Sequence, residues 1–393
     1  MKRPYFLEKI QAALSQFPVT GLLGPRQCGK TTLAREHCRS LGSSFQEKLN
    51  YFDLEDPEHL ARLANPLLAL EPLQGVVVID EIQRRPELFP VLRVLADRKK
   101  HRSRFLILGS ASRELIHQAS ETLAGRIEYI EVTPFSAHEL KSSELQKLWI
   151  RGGFPRAFLA TANSDSIKWR NAFIRTYLEQ DLPNLGIRIP AETLRRFWLM
   201  LAHYHGQIFN ASEIGRSMGI ADTTVHRYLD ILVGTFMVRR LSPWIENLKK
   251  RQVKSPKVYF RDSGVLHSLL GLRDREDLLT YPGLGRLWEG FAIEELLRKL
   301  GVDQEEAFFW GVHEQAELDL FILKNGKRLG FEIKYTDHPS LTASMKNAVE
   351  TLKLHELTIV YPGSNEFRID KKVRAIGLSQ IILARSANPQ TLP

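Results

Sequence analysis

The stretch Gly24-Pro25-Arg26-Gln27-Cys28-Gly29-Lys30-Thr31-Thr32 has the spacing of a phosphate-binding loop: a glycine, four residues, then Gly-Lys-Thr. Such a loop needs glycines because its backbone N–H groups must turn together toward one anion. A lysine at position 30 reaches β- and γ-phosphates, and a hydroxyl at Thr31 holds Mg²⁺. Asp80 and Glu81 close the apolar run "VVVIDE". There Asp80 suits Mg²⁺, through water, and Glu81 suits polarising an attacking water. Ser110 follows the next run, in "LILGSAS", and reads either as a γ-phosphate sensor or as a turn serine.

A second constellation lies near the C-terminal end, in "ELDLFILKNGKRLGFEIKY". Asp319 and Glu332 fall on two strand-like runs joined by a "KNGK" hairpin turn, and Lys334, two residues after Glu332, shares its face. Two carboxylates and a lysine converge. The set resembles the PD-(D/E)XK nuclease core. That resemblance implies that Asp319 and Glu332 bind Mg²⁺, helped by the Ile333 carbonyl, and that Lys334 positions or activates water. Glu289 or Glu294 on the preceding helix could complete the metal shell, with Gln315 facing it. No proline precedes Asp319, a departure from the pattern. The plain alternative is a half-buried sheet whose Asp, Glu and Lys share one solvated face.

Between the two, "ASEIGRSMGIADTTVHRYLDIL" has the grammar of a helix-turn-helix, with Gly219 in the turn. Its second helix would expose Thr223, Thr224, His226 and Arg227. The runs "FMVRRL" and "KVYFR" would add a strand pair and make it winged. The basic segment between them carries Lys249, Lys250, Arg251, Lys254 and Lys257, which could lie along phosphates. The alternative is a packing module with a solvated basic loop. Asp262 reads as a helix cap.

These residues need a scaffold. Up to about residue 140, β-branched runs alternate with helical stretches, the pattern of a parallel sheet with crossover helices. Long helical patterns fill the middle, and three consecutive strands, a helix and a strand follow from about 285. The expected fold is α/β in three parts: a P-loop ATPase domain over 1–140, a helical and winged-helix region over 141–284, and a restriction-endonuclease-like domain over 285–393. At 393 residues, more than one core is expected. The net charge of +10 suits a polyanionic partner or simply a basic surface. Two cysteines, Cys28 and Cys38, expected about 15 Å apart on one helix, cannot bridge each other. No apolar run reaches the ~20 residues that span a bilayer. A cytoplasmic protein with no membrane partner is expected.

"GPRQCGKTTL", "VVVIDEIQRRPELFPVLRVLAD", "FLILGSAS", "ETLAGRIEYIEVTPFSAHEL", "GGFPRAFL" and "KVYFRDSGVLHSLLG" together resemble the bacterial and archaeal AAA-superfamily ATPases that carry a C-terminal DUF4143 region. The resemblance covers nearly the whole chain. It implies ATP as ligand, and the sequence has no guanine-reading Asn-Lys-x-Asp motif. It also places Arg126 of "LAGR" where an arginine could reach a phosphate, in its own subunit or a neighbour's; a structural ion pair is the alternative. The expected function is ATP binding and hydrolysis coupled to engagement of nucleic acid, DNA in the first instance, with Mg²⁺-dependent cleavage by the last domain. The alternative is an ATP-regulated DNA- or protein-binding switch whose last domain is inert. Homo-oligomerisation stays open. No zinc-protease, nucleophile-elbow or protein-kinase motif set is present.

Overall fold

The computed structural model describes residues 1–98, 103–111, 123–245, 253–312 and 316–384. The chain forms two compact units. The first contains Met1–Pro134 together with Thr176–Ile189 and Asp230–Met237; the second contains Phe135–Arg175, Pro190–Leu229 and Val238–Pro393. The middle of the sequence is thus divided between them.

The first unit is built on strands β1 (Val19–Leu23), β2 (Tyr51–Asp53), β3 (Gly75–Asp80), β4 (Ser103–Gly109) and β5 (Ile127–Glu131). All pair in parallel, in the order β2-β3-β4-β1-β5. Their β-branched and aliphatic runs are buried on both faces, as a covered parallel sheet requires. Phe89, Leu92 and Leu95 of the helix Leu88–Asp97 pack on one face. On the other lie Phe6, Ile10 and Leu14 of Pro4–Gln16 and Leu33 and Cys38 of Lys30–Ser40. Cys28 sits in the loop ahead of that last helix rather than on it, and both thiols are free and buried.

The second unit holds a nine-stranded sheet: β6 (Gln207–Ile208), β7 (Val238–Pro243), β8 (Lys257–Phe260), β9 (Ala307–Val312), β10 (Ala316–Lys324), β11 (Lys327–Ile333), β12 (Glu356–Tyr361), β13 (Glu366–Asp370) and β14 (Val373–Gly377). Their order is β13-β14-β12-β11-β10-β9-β7-β8-β6. Asn325 and Gly326, both at positive φ, close the β10–β11 hairpin. Strand β7 lies parallel to β9, Ser242 opposite Phe308, so the sheet runs across residue 284 without a break. The helix Leu284–Leu300 is apolar over much of its circumference and buried accordingly.

The helix-turn-helix pattern forms as Ala211–Met218 and Asp222–Gly234. The Asn210 side chain caps the first helix, and Gly219, at φ 69°, ends it. Thr223, His226 and Arg227 are exposed and Thr224 half-exposed. Lys249, Lys250, Arg251 and Gln315 lie outside the described residues.

Candidate functional sites

Three parallel strands deliver the front site to one edge, their carboxyl ends. The phosphate loop follows β1, Asp80 ends β3, and Ser110 comes directly after β4. The two loop glycines serve different ends. A Cβ at Gly24 would stand 2.1 Å from the Val132 carbonyl oxygen, so only glycine lets the loop pass there. Gly29 has open space but a φ of +106°, which disfavours any side chain. Cys28 is locked inward, its Sγ 3.3 Å from the same Val132 oxygen. Pro25 is buried, while Gln27 and Thr32 are exposed.

Lys30 is buried and donates to the carbonyls of Gly24 at 2.8 Å and Pro25 at 2.9 Å, and to Ser110 Oγ at 3.2 Å. Thr31 Oγ1 donates to Asp80 Oδ2 at 2.9 Å, which also accepts from the Tyr51 hydroxyl at 2.8 Å. Burial pushes the Asp80 carboxyl above its ordinary range, against the pull of those hydroxyls. Glu81 takes a left-handed φ of 57°, accepts from Gln83 Nε2, and lies 3.3 Å from Ser110 Oγ. A left-handed backbone costs a non-glycine residue energy and persists only where the surroundings hold it. The Thr31 hydroxyl and Asp80 carboxylate offer the hard oxygen donors that Mg²⁺ prefers.

Arg126 is not part of this group. The Val19 N–H donates to its carbonyl, and β5 starts at the next residue, opposite Val19. That is the amino edge of the sheet, about 15 Å from the phosphate loop at ~3.3 Å per strand residue. Its guanidinium pairs with Asp97 at 2.5 Å. That contact is the structural ion pair of the alternative reading. The sequence reading missed Tyr51 and Asp181. Tyr51 reaches Asp80 because β2 pairs with β3. Asp181 accepts from Arg26 at 2.5 Å, 155 residues away, a contact with no local signal.

At the rear, Asp319 and Glu332 are buried at the open end of the β10–β11 hairpin, as are the residues flanking them. The strands are therefore covered on both faces, not solvated on one. Asp319 Oδ2 accepts from the Ile333 N–H at 2.8 Å. Lys334 Nζ is 2.7 Å from Glu332 Oε1, while Glu332 Oε2 is buried with no hydrogen-bond partner among the described residues. Burial and then Asp319 push the Glu332 carboxyl up to about 8, and burial and Asp319 push Glu289 up to about 7. Lys257, read as the last cation of the flexible basic segment and the first residue of the KVYFR strand, begins β8 and is only 4% exposed. Its ammonium lies 3.3 Å from Glu289, 4.0 Å from Asp319 and against Glu317. The Tyr259 hydroxyl donates to Glu289 at 2.5 Å. Glu294 is elsewhere: burial would raise it, but Arg239, Arg261 and Arg298 hold it down to about 2. Between the two helix candidates, Glu289 belongs to the cluster. Among the described residues no three His, Cys, Asp or Glu side chains form a ready metal cage. Asp262 caps the helix Ser263–Leu269, as expected.

Residues 16–141 match the family model of an AAA domain, 142–276 a domain of unknown function (DUF8612), and 284–381 a domain of unknown function (DUF4143). Two uncharacterized proteins, Rv2008c of Mycobacterium tuberculosis and Mb2031c of Mycobacterium bovis, are each 48% identical over 380 residues, 97% of this chain and 84% of theirs. A Walker-type ATPase of Pyrococcus abyssi aligns over 68% of this chain and 95% of its own, with 16% identity and a TM-score of 0.44. No helix among the described residues is long and apolar enough to cross a membrane. The chain, an AAA-type ATPase with a C-terminal DUF4143 region, belongs to the family of those two mycobacterial proteins.

Proposed function

We propose that the chain hydrolyses ATP at the carboxyl edge of the front sheet and uses its nucleotide state to control engagement of nucleic acid, with DNA as the first candidate. The observation that carries the first half is the meeting of Lys30, Thr31, Asp80, Glu81 and Ser110 at one edge. Lys30 would hold the β- and γ-phosphates; Thr31 and Asp80 would hold Mg²⁺, which supplies charge neutralisation when bound. Glu81, oriented by Gln83, would accept the proton of the attacking water, and Ser110 would register the terminal phosphate. Along the chain, the helix Ala191–His203, β6, the helix-turn-helix and the β7–β8 pair follow one another in the order of a winged helix. Exposed Thr223, His226 and Arg227 would face nucleic acid.

Lys30→Ala should abolish saturable ATP binding. Glu81→Gln should keep binding while turnover falls about 10²–10⁴-fold, the usual worth of a positioned base. Steady-state phosphate release and equilibrium binding measure both. Wild-type turnover in the two variants would overturn the assignment.

A second reading of the rear region rests on Asp319, Glu332 and Lys334 meeting with Glu289. Buried carboxylates with one unpartnered oxygen suit a hard divalent cation held by Asp319 and Glu332, which would supply charge neutralisation for phosphodiester cleavage. Lys257 supplies positive charge to part of the same cluster, so an inert, lysine-neutralised binding module is the competing outcome.

A further inference from the structure

With Arg126 at the far edge of its sheet, two arginines border the front site, Arg84 and, from the phosphate loop itself, Arg26. Arg26 spans two acids, donating to Asp181 Oδ1 at 2.5 Å and to Glu55 Oε1 at 2.7 Å. Resting on the reading of the front site as an ATP site, we propose that Arg26 is the γ-phosphate-directed cation and that Asp181 is a positioning residue that holds it away until ATP arrives.

Three observations support this. Arg26, Glu81, Gln83, Ser110, Tyr177 and Asp181 line one pocket, so the guanidinium borders the space where Glu81 would polarise water. That is the γ-phosphate end of the site. Asp181 is 4% exposed, and its second oxygen, Oδ2, is buried with no hydrogen-bond partner among the described residues. Arg26 is therefore its principal compensation, and a buried carboxylate that loses its cation is strongly disfavoured. Asp181 also ends a π-helical turn, Tyr177–Asp181, a rare geometry that recurs at functional sites. The turn is anchored to Thr235 Oγ1 by the Tyr177 hydroxyl at 2.5 Å.

The arrangement is a competition of two anions for one guanidinium. A γ-phosphate offers more charge and more acceptor oxygens than a single carboxylate, so ATP can draw Arg26 from Asp181. ADP, lacking the γ-phosphate, cannot. The pair thus gives the site discrimination between the two nucleotides, at the cost of part of the ATP affinity.

The test is equilibrium binding of ADP and of a non-hydrolysable ATP analogue, each with Mg²⁺, to the full chain and its variants. Arg26→Ala should weaken the analogue about tenfold or more, the worth of a lost charge-assisted hydrogen bond, and ADP by less than about twofold. Asp181→Asn should strengthen the analogue severalfold and leave ADP unchanged. Glu55→Gln, at the exposed anchor, should do the same more weakly, and serves as the informative variant if Asp181→Asn does not fold. Equal effects on both nucleotides, or weaker analogue binding in both acid variants, would overturn the proposal and leave a purely structural ion pair. A wild-type chain that binds neither nucleotide would overturn the ATP reading itself, and the proposal with it.

Discussion

Lys257 brings a buried ammonium to Glu289, Glu317 and Asp319, and burial of the ammonium is compensated by those carboxylates. Removing it should leave the acids uncompensated, so Lys257→Met should cost about 3–5 kcal/mol in the unfolding of the second unit. Adding Asp319→Asn to that variant should restore part of the loss, because one of the repelling charges goes with it. Urea unfolding of the single and double variants measures the coupling; strictly additive effects would mean the ammonium does not serve that cluster. Asp319→Asn alone, assayed with Mg²⁺ or Mn²⁺ on single- and double-stranded DNA and RNA, separates the readings of the rear site. Metal-dependent cleavage that the substitution abolishes supports a cleavage site; absence of cleavage by the wild type leaves a binding module. At this scale the sequence was legible where chemistry is written in short spacing. Lys30, Thr31, Asp80, Glu81 and Ser110 meet as their motifs imply. The burial of Lys257 was not legible: its neighbours Lys249, Lys250, Arg251 and Lys254 suggest a solvated basic run, and the pairing of β8 with β7 on one side and β6 on the other carries it inward.

The elements that were read correctly carry their own stop signals. Asn210 caps the first helix of the helix-turn-helix, Gly219 ends it in a left-handed turn, and buried Ile214, Val225 and Leu229 keep helical spacing. The "KNGK" turn closes the β10–β11 hairpin in the same way. The pairing of β7 with β9 was not legible, because parallel pairing joins strands remote in sequence and has no turn to announce it. The helix-turn-helix, read as a nucleic-acid-binding element, predicts a salt signature. Each lost phosphate contact lowers the slope of log K against log salt by about 1. Arg227→Glu should therefore weaken binding to all DNA sequences alike and flatten that slope by about one unit, in fluorescence anisotropy over a salt series. Unchanged affinity and slope would assign this helix to packing within the protein.

The first unit is not one stretch of sequence. The chain leaves it after Pro134, returns over Thr176–Ile189, and returns again over Asp230–Met237. The AAA-domain match ends at residue 141 and so omits both returns. Yet Leu185 and Phe236 pack against the core formed by β1, β3, β4 and the helix Leu88–Asp97, and Asp181 holds Arg26. A fragment 1–141 would expose the apolar surface those two side chains cover. At roughly 1.5–3 kcal/mol for a fully buried large apolar side chain, two partly buried ones contribute about 2–4 kcal/mol, a sizeable share of the 5–15 kcal/mol that separates folded from unfolded domains. The fragment should melt well below the Mg²⁺-ATP-responsive transition of the intact chain and bind a hydrophobic dye at temperatures where the intact chain does not. Equal melting of fragment 1–141 and the intact front unit would show that the returning segments add nothing to its core, and that the ATPase domain ends where its sequence motifs end.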